Sequence, residues 1–161
     1  MKARRIAFLG LMVALAFVLS YVEMLLPINI GIPGAKIGLA NLVVMVALYK
    51  LGPRDAFTLS LVRVLLVGFT FGNMAMMLYS LAGALLSFVA MIIGKRTNLF
   101  SAIGVSVLGG VFHNVGQIIV AMFVLETASL VYYLPFLVVI GTVTGIIIGI
   151  ISGMIVQRLG V

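Results

Sequence analysis

Apolar residues gather into six long blocks separated by short punctuated turns, predicting helices over roughly 6–26, 33–49, 56–71, 74–93, 100–125 and 132–156. Pro27 and Pro33 bracket the first turn, Gly52-Pro53 marks the second, Gly72-Asn73 the third, and Gly94 with Asn98 the fourth. Continuous apolar runs near twenty residues can satisfy their own backbone hydrogen bonds in lipid, whereas barrel strands would show about ten residues of strict alternation. The expected fold is an all-α integral membrane protein, with residues 1–161 forming one domain of six transmembrane helices.

Composition supports that class. Hydrophobic residues make up 65% and charged residues 8% of the 161 positions, against about half and a quarter in soluble domains. Nearly every stretch between turn signals is apolar enough to span, leaving no room for a separate soluble domain. The opening Met1-Lys2-Ala3-Arg4-Arg5 resembles the start of a signal peptide. The apolar run behind it continues to about Leu26 without a small-residue cleavage pattern, so it is expected to be retained as a first helix.

Charge then orients the bundle. Lys2, Arg4, Arg5, Lys50, Arg54, Lys95, Arg96 and Arg158 fall on one side of a six-pass arrangement, which the positive-inside rule assigns to the cytoplasm. Lys36 lies in an opposite loop, as does the acidic Glu126. Both termini are expected inside. The net charge of +7 is a topology signal rather than a nucleic-acid patch, because it is dispersed over short loops without aromatic interleaving.

Against this background the intramembrane polar residues stand out. Arg63 sits inside an otherwise uncharged run from Ala56 to Phe71. A charge at bilayer depth costs roughly 2.5–3.5 kcal/mol on insertion scales, so such a residue faces a protein interior, a cavity or a ligand. The structural alternative is an arginine held by a carboxylate or helix carbonyls. A rise of about 1.5 Å per residue puts Arg63 near the midplane, with Glu23, Lys36, Asn41 and Asn73 in the opposite, outer half. His113, Asn114 and Gln117 occupy the middle-to-outer part of the fifth helix. Their i,i+3 and i,i+4 spacings gather an imidazole and two amides on one face. The alternative for His113 is a hydrogen-bonded histidine joining helices.

The segment from Gly31 to Asn41 places Pro33 and three further glycines, Gly31, Gly34 and Gly38, around a second apolar run barely long enough to span. This suggests a backbone folded into the outer half of the membrane before helix begins. A helix N-terminus there favours an anion, and Lys36 and Arg63 add to that preference. An ordinary hairpin with Lys36 snorkelling to the interface is the plainer reading.

Small residues mark close approach. Gly141, Gly145, Gly149 and Gly153 form a ridge on the last helix, and Ala3, Ala7, Gly10 and Ala14 form a stripe on the first. Either can pack within the bundle, and the first-helix stripe can also receive a partner. Ten methionines, among them Met74, Met76 and Met77, are expected to fill gaps in the apolar core.

Several chemistries lack their residues. The chain has no Gly-x-x-x-x-Gly-Lys-Ser/Thr motif for ATP hydrolysis, so any pumping needs a partner. Glu23, Asp55 and Glu126 are scattered and do not form an aspartate cluster for magnesium and diphosphate. One histidine and no cysteine do not suit zinc, iron–sulfur or covalent haem sites. Ser60 and Ser80 have no His and acid placed for a triad. Neither enzymatic activity nor a resident metal or cofactor is expected.

The run from Pro33 to Asn41, the Arg63 helix and His113-Asn114-x-x-Gln117 together resemble the bacterial family called heptaprenyl diphosphate synthase component I, also known as the Gx transporter family. The resemblance covers nearly the whole chain. Its members are similar to the substrate-binding S components of energy-coupling factor (ECF) transporters, six-helix proteins that take a vitamin-like ligand from outside and dock on a coupling protein with two ATPases. That likeness implies an outward pocket with Arg63 as its polar floor, Asn41, His113, Asn114 and Gln117 as its walls, and Lys36 at its rim. Glu23 would pair with Lys36 or with the ligand, and Ala3, Ala7, Gly10 and Ala14 would be the docking face. The family name implies instead an accessory subunit of prenyl diphosphate synthesis for the menaquinone side chain. Members similar to this chain also accompany extracellular electron transfer, which would imply a quinone- or flavin-binding subunit, or an anchor for an electron-transfer partner in the membrane.

Overall fold

The computed structural model describes residues 2–25 and 38–159. The helices are α1 (Lys2–Leu25), α2 (Leu39–Lys50), α3 (Pro53–Thr70), α4 (Met74–Arg96), α5 (Ala102–Val124) and α6 (Leu134–Arg158), with a 3-10 helix, Ala128–Tyr133, leading into α6. Six helices and no strand among the described residues match the apolar pattern. The chain is a multi-pass membrane protein. Four helical segments, those of α1, α4, α5 and the 3-10 turn with α6, are long and apolar enough to cross a bilayer.

The two remaining helices depart from that standard for identifiable reasons. α3 carries Arg54, Asp55 and Arg63 within its 18 residues. α2 has 12 residues, a rise of about 18 Å against a hydrocarbon core of about 30 Å. The second apolar run predicts helix from position 33, but Gly38 adopts φ +77° and helix begins only at Leu39. That left-handed conformation suits glycine. The Asn41 N–H donates to the Gly38 carbonyl at 2.8 Å and closes the first turn. The preceding turn, with Pro27, Pro33 and Lys36, lies outside the described residues.

Other boundaries follow local signals. Pro53 opens α3, where its missing N–H costs nothing. Asn73 and Ser101 cap α4 and α5 by accepting from Met76 N–H (2.8 Å) and Gly104 N–H (3.3 Å). α6 begins at Leu134, two residues later than the pattern predicts, because Ala128–Tyr133 winds as the tighter 3-10 form.

α2 is the centre of the lower core. Ala40 and Val43 through Leu48 are all buried, as expected for a helix apolar on every side. Around it pack Met12 and Ala16 of α1, Leu59 of α3, Phe88 and Met91 of α4, Val105 of α5 and Ile148 of α6. Three polar ties close this end, where most of the basic residues lie. Arg5 pairs with Asp55 at 2.7 Å. Lys95 donates to the Leu48 carbonyl at 2.7 Å and lies 4.4 Å from the centre of the Tyr49 ring, and Lys50 donates to the Leu159 carbonyl. Two of these lysines therefore serve helix C-terminal carbonyls, where positive charge is favoured.

The layer α4–α5–α6 is joined differently, by backbone contact. A Cβ added to Gly116 would lie 2.7 Å from the Ala82 carbonyl oxygen, and one at Gly110 2.5 Å from that of Gly141. Gly145 and Gly149 press equally close to Val107 and Ile103 of α5. Three members of the last-helix ridge thus pack inside the bundle, while Gly153 has nothing within 4 Å. On α1, Ala3, Ala7, Gly10 and Ala14 are exposed.

Candidate functional site

The cavity between the α1–α2–α3 and α4–α5–α6 layers is built where helices running in opposite directions reach the same height. Arg63 is ten residues beyond Pro53, Asn41 nine before Lys50 and His113 eleven beyond Ala102. At about 1.5 Å per residue all three lie near 15 Å from the basic end. Arg63, Asn41, His113, Asn114, Gln117 and Glu23 all line one cavity. About 110 Å³ of it is open to the centres of water-sized molecules, whereas a single buried water needs on the order of 10–15 Å³ by that measure.

Arg63 is 9% exposed, and its Nε has no hydrogen-bond partner in the structure. A buried donor in that state is costly. Glu23 approaches from α1. Its Oε1 accepts the Gly38 N–H, placing a carboxylate at the positive end of α2, and its charge acts on the Arg63 guanidinium.

The α5 group divides into different tasks. Asn114 is buried, and its Nδ2 donates to the Leu137 carbonyl at 2.8 Å, so part of this amide joins α5 to α6. His113 and Gln117 border Gly83 of α4, where an added Cβ would meet the His113 carbonyl oxygen at 2.7 Å and Gln117 Cγ at 2.9 Å. Glycine at 83 is what lets this polar face lie against α4 and still reach the cavity.

The cavity also continues past Arg63. Met45, Met91 and Ser106 line it, and at about 1.5 Å per residue they lie only some 6–8 Å from the basic end. Arg63 is therefore part of a wall, not the floor as expected, because small and flexible side chains leave space beneath it. Met24, Met76 and Met77 line its other parts, so these methionines do more than fill the core. Ser20, Ser80, Ser87 and Thr144 were likewise missed as lining residues. The available signal was the stripe Met77, Ser80, Ala84, Ser87 and Met91 at three- and four-residue spacing along α4. Ser20 and Thr144 return their hydroxyls to their own helices, at Ala16 (2.9 Å) and Ile140 (2.9 Å).

Lys36 lies outside the described residues. The α1 stripe faces away from the bundle. Among the described residues no three His, Cys, Asp or Glu side chains gather as a metal site. No curated protein and no solved structure matches the chain. Residues 12–155 match the model of the family described as heptaprenyl diphosphate synthase component I, and the chain belongs to that family.

Proposed function

We propose that this protein is the substrate-binding membrane subunit of a transporter, capturing a small ligand with an anionic group and passing it on only with an energising complex. The observation that carries this reading is the buried Arg63, whose Nε lacks an acceptor in a cavity lined by amides, hydroxyls and thioethers together with Glu23 and His113. A planar guanidinium suits a carboxylate or phosphate oxygen pair. The cavity extends to Gly72 and Met76 at the α3–α4 turn, opposite the end closed by Arg5, Lys50 and Lys95. Together with the positive-inside rule, this supports loading from outside a bacterial plasma membrane, with both termini in the cytoplasm. The exposed small-residue stripe on α1 would then dock on an ECF-like coupling protein.

The family description favours a second reading, an accessory subunit beside a catalytic prenyl diphosphate synthase component. A diphosphate has several negative charges, and this cavity opposes them with Arg63 while adding Glu23. Like charges brought together away from water repel strongly, so the transport reading fits the site better.

Native mass spectrometry of gently extracted protein tests the choice. Expected is a retained small molecule in the wild type that is lost in Arg63→Gln. Retention unchanged in that variant would reject the Arg63 site. A soluble synthase subunit co-purifying with an empty cavity would favour the second reading.

A further inference from the structure

The cavity wall below Arg63 differs from the wall beside it. His113 and Gln117 lie against Gly83 of α4 and make that level polar. One turn nearer the basic end of α5, Gly109 faces Ser87 and Met91 of α4, with Met91 Sδ 2.8 Å and Ser87 Oγ 3.4 Å from where a Cβ would stand. Ser106, a further turn along α5, and Met45 of α2 line the same end. None of these side chains carries a formal charge. They extend the cavity beyond the level of Arg63 by roughly 7–9 Å at 1.5 Å per residue, a space that an acidic group held on Arg63 does not fill.

Resting on the anion-binding reading above, we propose that the ligand is an elongated monoanion, its acidic group on Arg63 and an uncharged, mainly apolar body extending from it toward Met45 and Met91. A second charge on that body would be buried away from water with no opposite charge beside it, which is costly. The hydroxyls of Ser87 and Ser106 can meet a neutral polar atom but cannot balance a charge. The unbranched thioethers of Met45 and Met91 adapt to different shapes, so this end selects for length and neutrality rather than for one outline. Its depth matches about six or seven carbon–carbon bonds in a zigzag chain, taking a bond length near 1.5 Å.

Straight-chain monocarboxylates from acetate to decanoate are the probes, with inorganic phosphate and the eight-carbon α,ω-dicarboxylate beside them. The full chain in lipid nanodiscs is titrated by calorimetry, and the heat from empty nanodiscs is subtracted to remove partitioning into lipid. Affinity should rise about fourfold per added methylene to a maximum between hexanoate and octanoate and then fall. The dicarboxylate should bind at least about tenfold more weakly than octanoate, because its second charge enters the neutral end. Arg63→Gln should abolish binding at every chain length, while Ser87→Leu should move the maximum to shorter chains and Met91→Ala to longer ones. Wild-type protein alone can overturn the inference: no gain beyond acetate, a rise that continues through decanoate, or a dicarboxylate equal to octanoate does so. If acetate or phosphate binds through Arg63 with no gain from a longer chain, this inference falls and the anion-binding reading stands. If no probe binds, or if binding is unchanged in Arg63→Gln, both fall.

Discussion

Replacing Gly110 by alanine tests whether backbone contact between α5 and α6 holds the site together. The new Cβ would lie 2.5 Å from the Gly141 carbonyl oxygen and 3.3 Å from its carbon. Reaching the 3.4 Å at which such contacts become ordinary requires the helices to part locally by about 0.9 Å. A gap of roughly 0.5–1 Å forfeits a quarter to a half of the attraction between facing atoms, and overpacking generally costs about 1–3 kcal/mol. Gly10→Ala is the matched control, because its Cβ meets nothing within 4 Å and alanine favours helix by up to about 1 kcal/mol. Reversible unfolding in mixed micelles, followed by circular dichroism, should show Gly110→Ala destabilised within the overpacking range and Gly10→Ala unchanged or more stable. Since Asn114 lies one turn further along α5 and bonds to Leu137 of α6, ligand affinity should fall with Gly110→Ala as well. Equal unfolding midpoints for the two variants would refute the claim that these backbones touch.

Three further outcomes follow from particular contacts. Asn114→Ala removes the 2.8 Å bond to Leu137 and should cost about 0.6–1.7 kcal/mol, the range of interhelical hydrogen bonds in membranes. No loss in the same unfolding assay would show that the amide has no structural share. Lys95→Met deletes both the donor to Leu48 and the contact with Tyr49, and should destabilise by about 1–2 kcal/mol. Lys95→Arg should recover part of that loss, and failure of both variants to alter stability would dismiss the tie. The chain has no cysteine, so Asn98→Cys and Ser129→Cys report topology directly. A membrane-impermeant maleimide should label Ser129→Cys in whole cells and Asn98→Cys only after the membrane is opened, and the reverse pattern would invert the proposed orientation.

The helices were legible because lipid makes helical backbone pairing compulsory, so long apolar runs broken by Gly52-Pro53 or Gly72-Asn73 have few alternatives. The start of α2 was less so. Its apolar pattern extends upstream, and only the positive φ of Gly38 reveals where helix begins. Within the site, the i,i+3 and i,i+4 spacings of His113, Asn114 and Gln117 carried a readable face, and the lone charge of Arg63 marked an interior position. Ser87 and Met91 carried a weaker signal, their place in the three- and four-residue stripe along α4, because either face of that helix could have met lipid, and Ser106 carried none, since a lone serine is unremarked in an apolar helix. The contact of Glu23 with Gly38 depends on how α1 and α2 approach each other, which no single-helix pattern encodes.

The short length of α2 explains why a cavity forms at this height. A helix of 12 residues rises only about 18 Å, whereas α1, α4, α5 and α6 each rise more than about 30 Å at 23 to 25 residues. Below Asn41, α2 occupies the centre of the bundle with the tightly buried run from Val43 to Leu48, and the cavity continues only beside it, along Met45, Met91 and Ser106. At and above it, the neighbouring helices surround the N-terminal end of α2, and there Glu23, Arg63 and His113 face one space. Within the α4–α5–α6 layer, Gly110 and Gly116 already bring the backbones into contact, so these helices cannot draw closer to one another. In the opposite layer α1 and α3 meet through side chains instead, such as Phe17 with Phe71, ring centres 5.2 Å apart, and Arg5 with Asp55. Backbone packing therefore fixes the spacing of the helices that bear Asn114 and Gln117, and side-chain packing sets that of the helices that bear Glu23 and Arg63.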